Sequence, residues 1–81
     1  MELRFSDEFR KDYGKIKDAA LRQRVIKALT KLTEDPESGK PLQYAYKGKR
    51  RLRVDPFRIM YSLEGDIIWV SCFEHRGTAY K

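Results

Sequence analysis

Long apolar runs are missing from this chain: nothing in its 81 residues approaches the roughly 20 consecutive apolar residues that span a bilayer, and its start, Met1-Glu2-Leu3-Arg4, has no signal-peptide core. Cysteine is almost absent as well. The single one, Cys72, can neither close an intrachain disulfide nor build a cysteine-rich metal site, and it sits in the apolar run from Ile67 to Phe73. A small buried hydrophobe is the role expected there, rather than a reactive thiol. Histidine also occurs once, at His75. These scarcities predict a soluble cytoplasmic protein with no membrane partner, no metal and no other cofactor. The length predicts one compact domain over 1–81 and excludes a second, and a core this small leaves room for a partner that stabilises the fold.

Anions are the minority charge, 12 against 18 Lys and Arg, and the excess is not spread evenly. Between Lys47 and Arg58 stand six cations (Lys47, Lys49, Arg50, Arg51, Arg53, Arg58) against one anion, Asp55. That segment alone carries +5 of the formal +6. A solvated charge run would look similar, but so local a concentration is the footprint of a surface that meets phosphates or a strongly acidic protein.

The periodicities predict an α+β domain in the order βααβββ, with an antiparallel sheet packed on two N-terminal helices. Met1, Leu3 and Phe5 alternate with Glu2 and Arg4 as in a short half-buried strand. Ser6 is a good N-cap for a helix of two to three turns carrying Phe9, Tyr13 and Ile16, weakened by Gly14. A second helix opens at Ala20 or Leu21, with Leu21, Val25, Ala28, Leu29 and Leu32 on one face. Asp35-Pro36 through Gly39-Lys40-Pro41 reads as a loop. Strands follow at Arg51 to Asp55, Phe57 to Leu63 and Ile67 to Glu74, the last two joined by the hairpin turn Glu64-Gly65-Asp66.

In the first of these strands, Arg51 and Arg53 share one face while Leu52 and Val54 take the other, and a hairpin can bring Arg58 alongside the arginines. Like charges on one sheet face repel one another, so an external anion is the natural neutraliser. Lys47, Lys49 and Arg50 extend the expected phosphate-binding set.

The ordered pieces Lys47-Gly48, Arg51-Leu52-Arg53-Val54-Asp55, Phe57-Arg58-Ile59-Met60-Tyr61 and His75-Arg76-Gly77-Thr78-Ala79-Tyr80 resemble the RelE/ParE toxin superfamily. Its members show a Lys-Gly or Arg-Gly pair, an Arg-aliphatic-Arg-aliphatic strand, an aromatic-Arg-aliphatic-x-Tyr strand, then His-Arg with a tyrosine four residues after the arginine. The resemblance implies a RelE-like fold and a type II toxin that cleaves mRNA on the ribosome without a metal and inhibits translation. It further implies a cognate RelB-like antitoxin, acidic and partly disordered, and a catalytic set of Arg58, Arg76, Tyr80 and His75. In that set the arginines would stabilise phosphorane charge, Tyr80 would stack on or hydrogen-bond the RNA, and His75 would move a proton. The sequence departs from the RelE pattern in having Arg51 and Arg53 where those enzymes have lysines, and arginine is a poor base. Two alternatives therefore stand beside the nuclease: a ParE-like inhibitor that binds DNA gyrase, and a catalytically weak RNA- or ribosome-binding relative.

Overall fold

Local capping explains where the helices begin. The computed structural model describes residues 2–41 and 48–75, with His75 described only in its backbone. Strand β1, Glu2–Phe5, exposes Glu2 and Arg4 and turns Leu3 and Phe5 inward. Ser6 follows in an extended conformation, and its Oγ accepts the Phe9 N–H at 3.0 Å, which opens helix α1 at Asp7–Gly14. The same hydroxyl donates to the Ser71 carbonyl, so the cap also ties α1 to the sheet. Asp18 does the corresponding work for α2, Ala19–Glu34: its Oδ1 takes the N–H groups of Ala20 and Leu21 at 2.9 and 3.3 Å. That carboxylate cap starts the helix just before the expected Ala20. Leu21, Val25, Leu29 and Leu32 form its buried stripe.

The sheet contains β2 (Lys40–Pro41), β3 (Lys49–Val54), β4 (Phe57–Glu64) and β5 (Ile67–His75), in the spatial order β1-β5-β4-β3-β2. Two features differ from the sequence expectation. First, β1 runs parallel to β5, while every other pairing is antiparallel. The helices intervene between β1 and the rest of the sheet, and a strand that rejoins a sheet after a helical crossover is free to enter parallel. Second, Lys40 and Pro41 are not loop but a short edge strand opposite Arg51 and Arg50. An edge tolerates proline, which lacks one ladder donor.

Both helices cover one face of the sheet. Leu52, Val54, Ile59, Tyr61, Ile68 and Val70 meet Phe9 and the α2 stripe in the core. Phe5, Phe9, Phe73 and Phe57 run through it as successive ring contacts, with centroids 5.3, 4.4 and 5.5 Å apart. The β4–β5 register slips between Met60 and Tyr61, leaving Ser71 without a partner. This bulge resets the alternation, so Val70 and Phe73 both serve the core although they stand three apart. Gly65, at φ +58°, supplies the left-handed residue of the β4–β5 turn.

Leu32 has no exposed surface and is the last residue of the buried α2 stripe. Leu32→Ala should therefore cost about 2–5 kcal/mol, read as a lower midpoint in denaturant at an unchanged slope. A loss below about 1 kcal/mol would mean that the helix is not seated on the sheet as described.

Candidate nucleic-acid interface

The face of the sheet turned away from the helices carries the charge. Residues in register project to the same side, so the ladders define rows across this face. Lys40 stands opposite Arg51, Arg51 opposite Met60, and Met60 opposite Cys72. In the next row Arg53 stands opposite Arg58, and Arg58 opposite Glu74. Lys40, Arg51, Arg53 and Arg58 together line a recess of about 280 Å³. Four positive groups from three strands thus converge on one small volume.

The pairing of Arg53 leaves it able to receive an anion. The Arg53 Nε donates to Asp55 Oδ1 at 3.0 Å, with the two side chains 63% and 55% exposed. An ion pair that open to water contributes little, and a phosphate with two acceptor edges can displace it. Met60 is only 4% exposed despite its place on this face, in keeping with long cationic stems lying over apolar atoms. Burial also pushes the Cys72 thiol above its ordinary range, so it stays protonated rather than reactive.

Lys40 was not among the expected site residues, because its membership depends on the pairing of β2 with β3. A latch on the opposite face secures that pairing. Tyr61 Oη accepts the Gly39 N–H at 2.9 Å and donates to the Pro36 carbonyl at 2.8 Å. Arg50 Nη1 donates to the carbonyls of Glu37 and Gly39 at 3.1 and 2.9 Å. Gly39 is required by close approach: a Cβ there would lie 2.3 Å from Tyr61 Oη.

Among the residues expected to bind phosphate, Arg51, Arg53 and Arg58 are brought together in the recess. Arg50 is not. Its register partner is Tyr61, whose ring belongs to the core, so alternation turns Arg50 toward the helices and the loop. Lys49 is exposed, in register with Ser62 and two residues before Arg51, beside rather than within the recess lining. His75 closes β5 in register with Phe57, and its side chain lies outside the described set. Lys47, Arg76 and Tyr80 lie outside the described residues. Among the described residues no cluster of three His, Cys, Asp or Glu side chains could hold a metal ion, and no helix is long and apolar enough to cross a membrane.

The Tyr61 latch has a signature in pH. Burial, the largest cause, pushes its hydroxyl above the ordinary value of 10.0, with Gly39 and Arg50 opposing. The folded state then holds this proton longer than the unfolded chain. Its stabilisation is complete below the unfolded value and is lost as pH rises through the folded one. Tyr61→Phe should cost about 1–3 kcal/mol at neutral pH, by leaving the Gly39 N–H unpaired. It should also flatten the alkaline decline, leaving the part due to Cys72. Denaturant midpoints followed from neutral into alkaline solution test this, and an equally steep decline in the variant would contradict it.

The family model for the ParE toxin of type II toxin-antitoxin system, parDE, matches residues 3–80. Solved structures similar to the chain include the RelBE2 toxin-antitoxin complex from Mycobacterium tuberculosis, with 24% identity, 93% of this chain and 96% of that one covered, and a TM-score of 0.80. The YoeB/ParE toxin from Agrobacterium tumefaciens is 20% identical over 93% and 98% of the two chains, with a TM-score of 0.80. The intact RelBE toxin-antitoxin complex of E. coli is 18% identical over 91% and 94%, with a TM-score of 0.76. No curated protein sequence matches the chain.

Proposed function

The chain belongs to the ParE toxin family of type II toxin-antitoxin systems, and within that family we propose, from the chemistry of its sheet face, that it is an mRNA endonuclease acting on the ribosome, with the cation recess holding the scissile phosphate. The observation that carries this reading is the convergence of Lys40, Arg51, Arg53 and Arg58 on one recess. A guanidinium fork matches two phosphate oxygens, and charge that grows on those oxygens during reaction is stabilised more than the ground state.

In the proposed reaction the ribose 2′-oxygen attacks the adjacent phosphorus while its proton passes to a base. The bond from phosphorus to the 5′-oxygen then breaks, and that oxygen takes up a proton. The products are a 2′,3′-cyclic phosphate and a 5′-hydroxyl, and the step needs no external co-reactant. Arg58 and Arg76 stabilise the phosphorane, Arg51, Arg53 and Lys40 hold the backbone, and Tyr80 engages the base or leaving group; His75 is the candidate for the proton, although its register with Phe57 sets its position on the helix side of β5 and not in the recess rows. Lys47 and Lys49 add backbone contacts.

The M. tuberculosis and E. coli relatives were solved as toxin-antitoxin complexes, and a cognate antitoxin is proposed here too. Its acidic residues would cover the recess. An apolar face would fill the groove of about 430 Å³ along the helices, lined by Phe5, Phe9, Tyr13, Ile26 and Leu29 among others. Such a complex should weaken as salt rises; affinity unchanged by ionic strength would mean that the antitoxin leaves the cations uncovered. A second reading, inhibition of DNA gyrase, is favoured by the family match itself, since that model describes ParE toxins.

Primer extension on transcripts after brief induction separates the two. Discrete cuts in translated frames are expected for the nuclease, whereas intact transcripts with damaged DNA would replace that reading with gyrase inhibition. Arg58→Ala or Arg76→Ala should slow single-turnover cleavage by about 10²–10³-fold, by analogy with loss of one oxyanion donor. Arg51→Ala should chiefly weaken binding and reduce its salt slope by about one. His75→Ala should slow cleavage with little change in binding, and an unaltered rate would remove histidine from the mechanism.

A further inference from the structure

We propose that Trp69 is a base-stacking subsite for single-stranded RNA, continuous with the cation recess on the same sheet face; this rests on the RNA-binding reading above and adds the part that holds the base. Trp69 is the only tryptophan in the chain and is 37% exposed, one of two large exposed apolar residues among those described. Its neighbours Ile68 and Val70 are fully buried against the helices, so β5 turns the indole to the opposite side.

The ladders place Trp69 in a row. Arg4 of β1 is its partner on one side and Ser62 of β4 on the other, and Ser62 pairs in turn with Lys49 of β3. The row reads Arg4, Trp69, Ser62, Lys49: an aromatic surface beside a hydroxyl, with a cation at each end. Arg4 is paired with Glu2 at 3.1 Å, but both side chains are more than half exposed, so the pair is weak and exchangeable. Carboxylates also occur on this face, at Glu2, Glu64 and Glu74. They flank the row and the recess, whereas the indole itself sits between cations.

Distance makes the two subsites one surface. Ser62 and Arg58 are four residues apart on β4, roughly 13 Å at about 3.3 Å per residue. A short length of extended single strand spans that gap, with a phosphate among the arginines and a base on the indole. Stacking suits an unpaired base, because a duplex presents no free face to a side chain rising from a flat sheet. A protein partner would be expected to need a broader apolar patch than one ring flanked by charges.

The tryptophan is its own reporter. Titration of the intact protein with a short 2′-O-methyl oligonucleotide, which lacks the attacking hydroxyl and cannot be cut, should quench Trp69 fluorescence to saturation. An oligonucleotide of the same length with abasic positions should bind by its backbone without that quench. With a labelled oligonucleotide followed by anisotropy, Trp69→Phe should stay close to the parent affinity. Trp69→Ala should lose roughly 5- to 150-fold, the equivalent of about 1–3 kcal/mol per stacked base. Circular dichroism checks that both variants fold. If the oligonucleotide binds with no quench and Trp69→Ala binds like the parent, stacking is overturned while RNA binding stands. Equal quenching by duplex and single strand would likewise overturn it. If no oligonucleotide binds and a gyrase subunit quenches Trp69, the RNA reading falls together with the subsite.

Discussion

Everything proposed for the open face depends on one constraint, the register of β3 against β4. Side chains alternate with a period of two, so the pairings of Leu52 with Ile59 and Val54 with Phe57 simultaneously fix Arg53 opposite Arg58 and Arg51 opposite Met60. A slip by one residue would drive guanidiniums into the core and aliphatics into water. Burying an unpaired cation costs several kcal/mol per group, far more than a shifted ladder could return. The core therefore does not merely tolerate the cation cluster; it holds the cluster together against its own repulsion.

Arginine serves two unlike purposes within a few residues of chain. Arg51 and Arg53 face outward and line the recess, whereas Arg50 faces the helices and spends its guanidinium on the carbonyls of Glu37 and Gly39. With the Tyr61 hydroxyl it fixes the segment that ends in Lys40, the recess member contributed by the sheet edge. Part of the site's charge is thus positioned by polar contacts on the other side of the sheet. A defect in those contacts would be felt in binding although no contact residue had changed.

Much of this was legible in the sequence, for identifiable reasons. Ser6 announced its cap, the Leu21 to Leu32 stripe announced α2, and alternation in Arg51 to Asp55 gathered the outer arginines. The same alternation, applied one residue earlier, would have assigned Arg50 to the inner face. Other features were hidden because they are settled by pairing between distant segments. The parallel entry of β1 beside β5 leaves no local trace, and Lys40-Pro41 becomes a strand only against β3. Within Ile67 to Phe73 every residue but Ser71 is apolar, so no periodicity revealed that Trp69 and Cys72 look outward while Val70 and Phe73 look in. The terminal residues Arg76 and Tyr80 rest on the resemblance alone.

The unpaired Ser71 makes β5 a strand whose length is informative in a way that its composition is not. Its carbonyl takes the Ser6 hydroxyl, and the neighbouring Val70 carbonyl takes the Ser6 N–H at 3.0 Å, so the irregularity is moored to the start of α1. Substitutions along this strand exchange one apolar side chain for another and leave the alternation intact. Deleting Ser71 would leave the alternation intact as well: Val70 would still face Tyr61, Cys72 would still face Met60 and Phe73 would still point inward, and what would be lost is the carbonyl that moors the strand to Ser6. A gap of one residue at Ser71 is thus a change of length that the sheet absorbs without exchanging its two surfaces, and its consequence falls on the attachment of α1 instead.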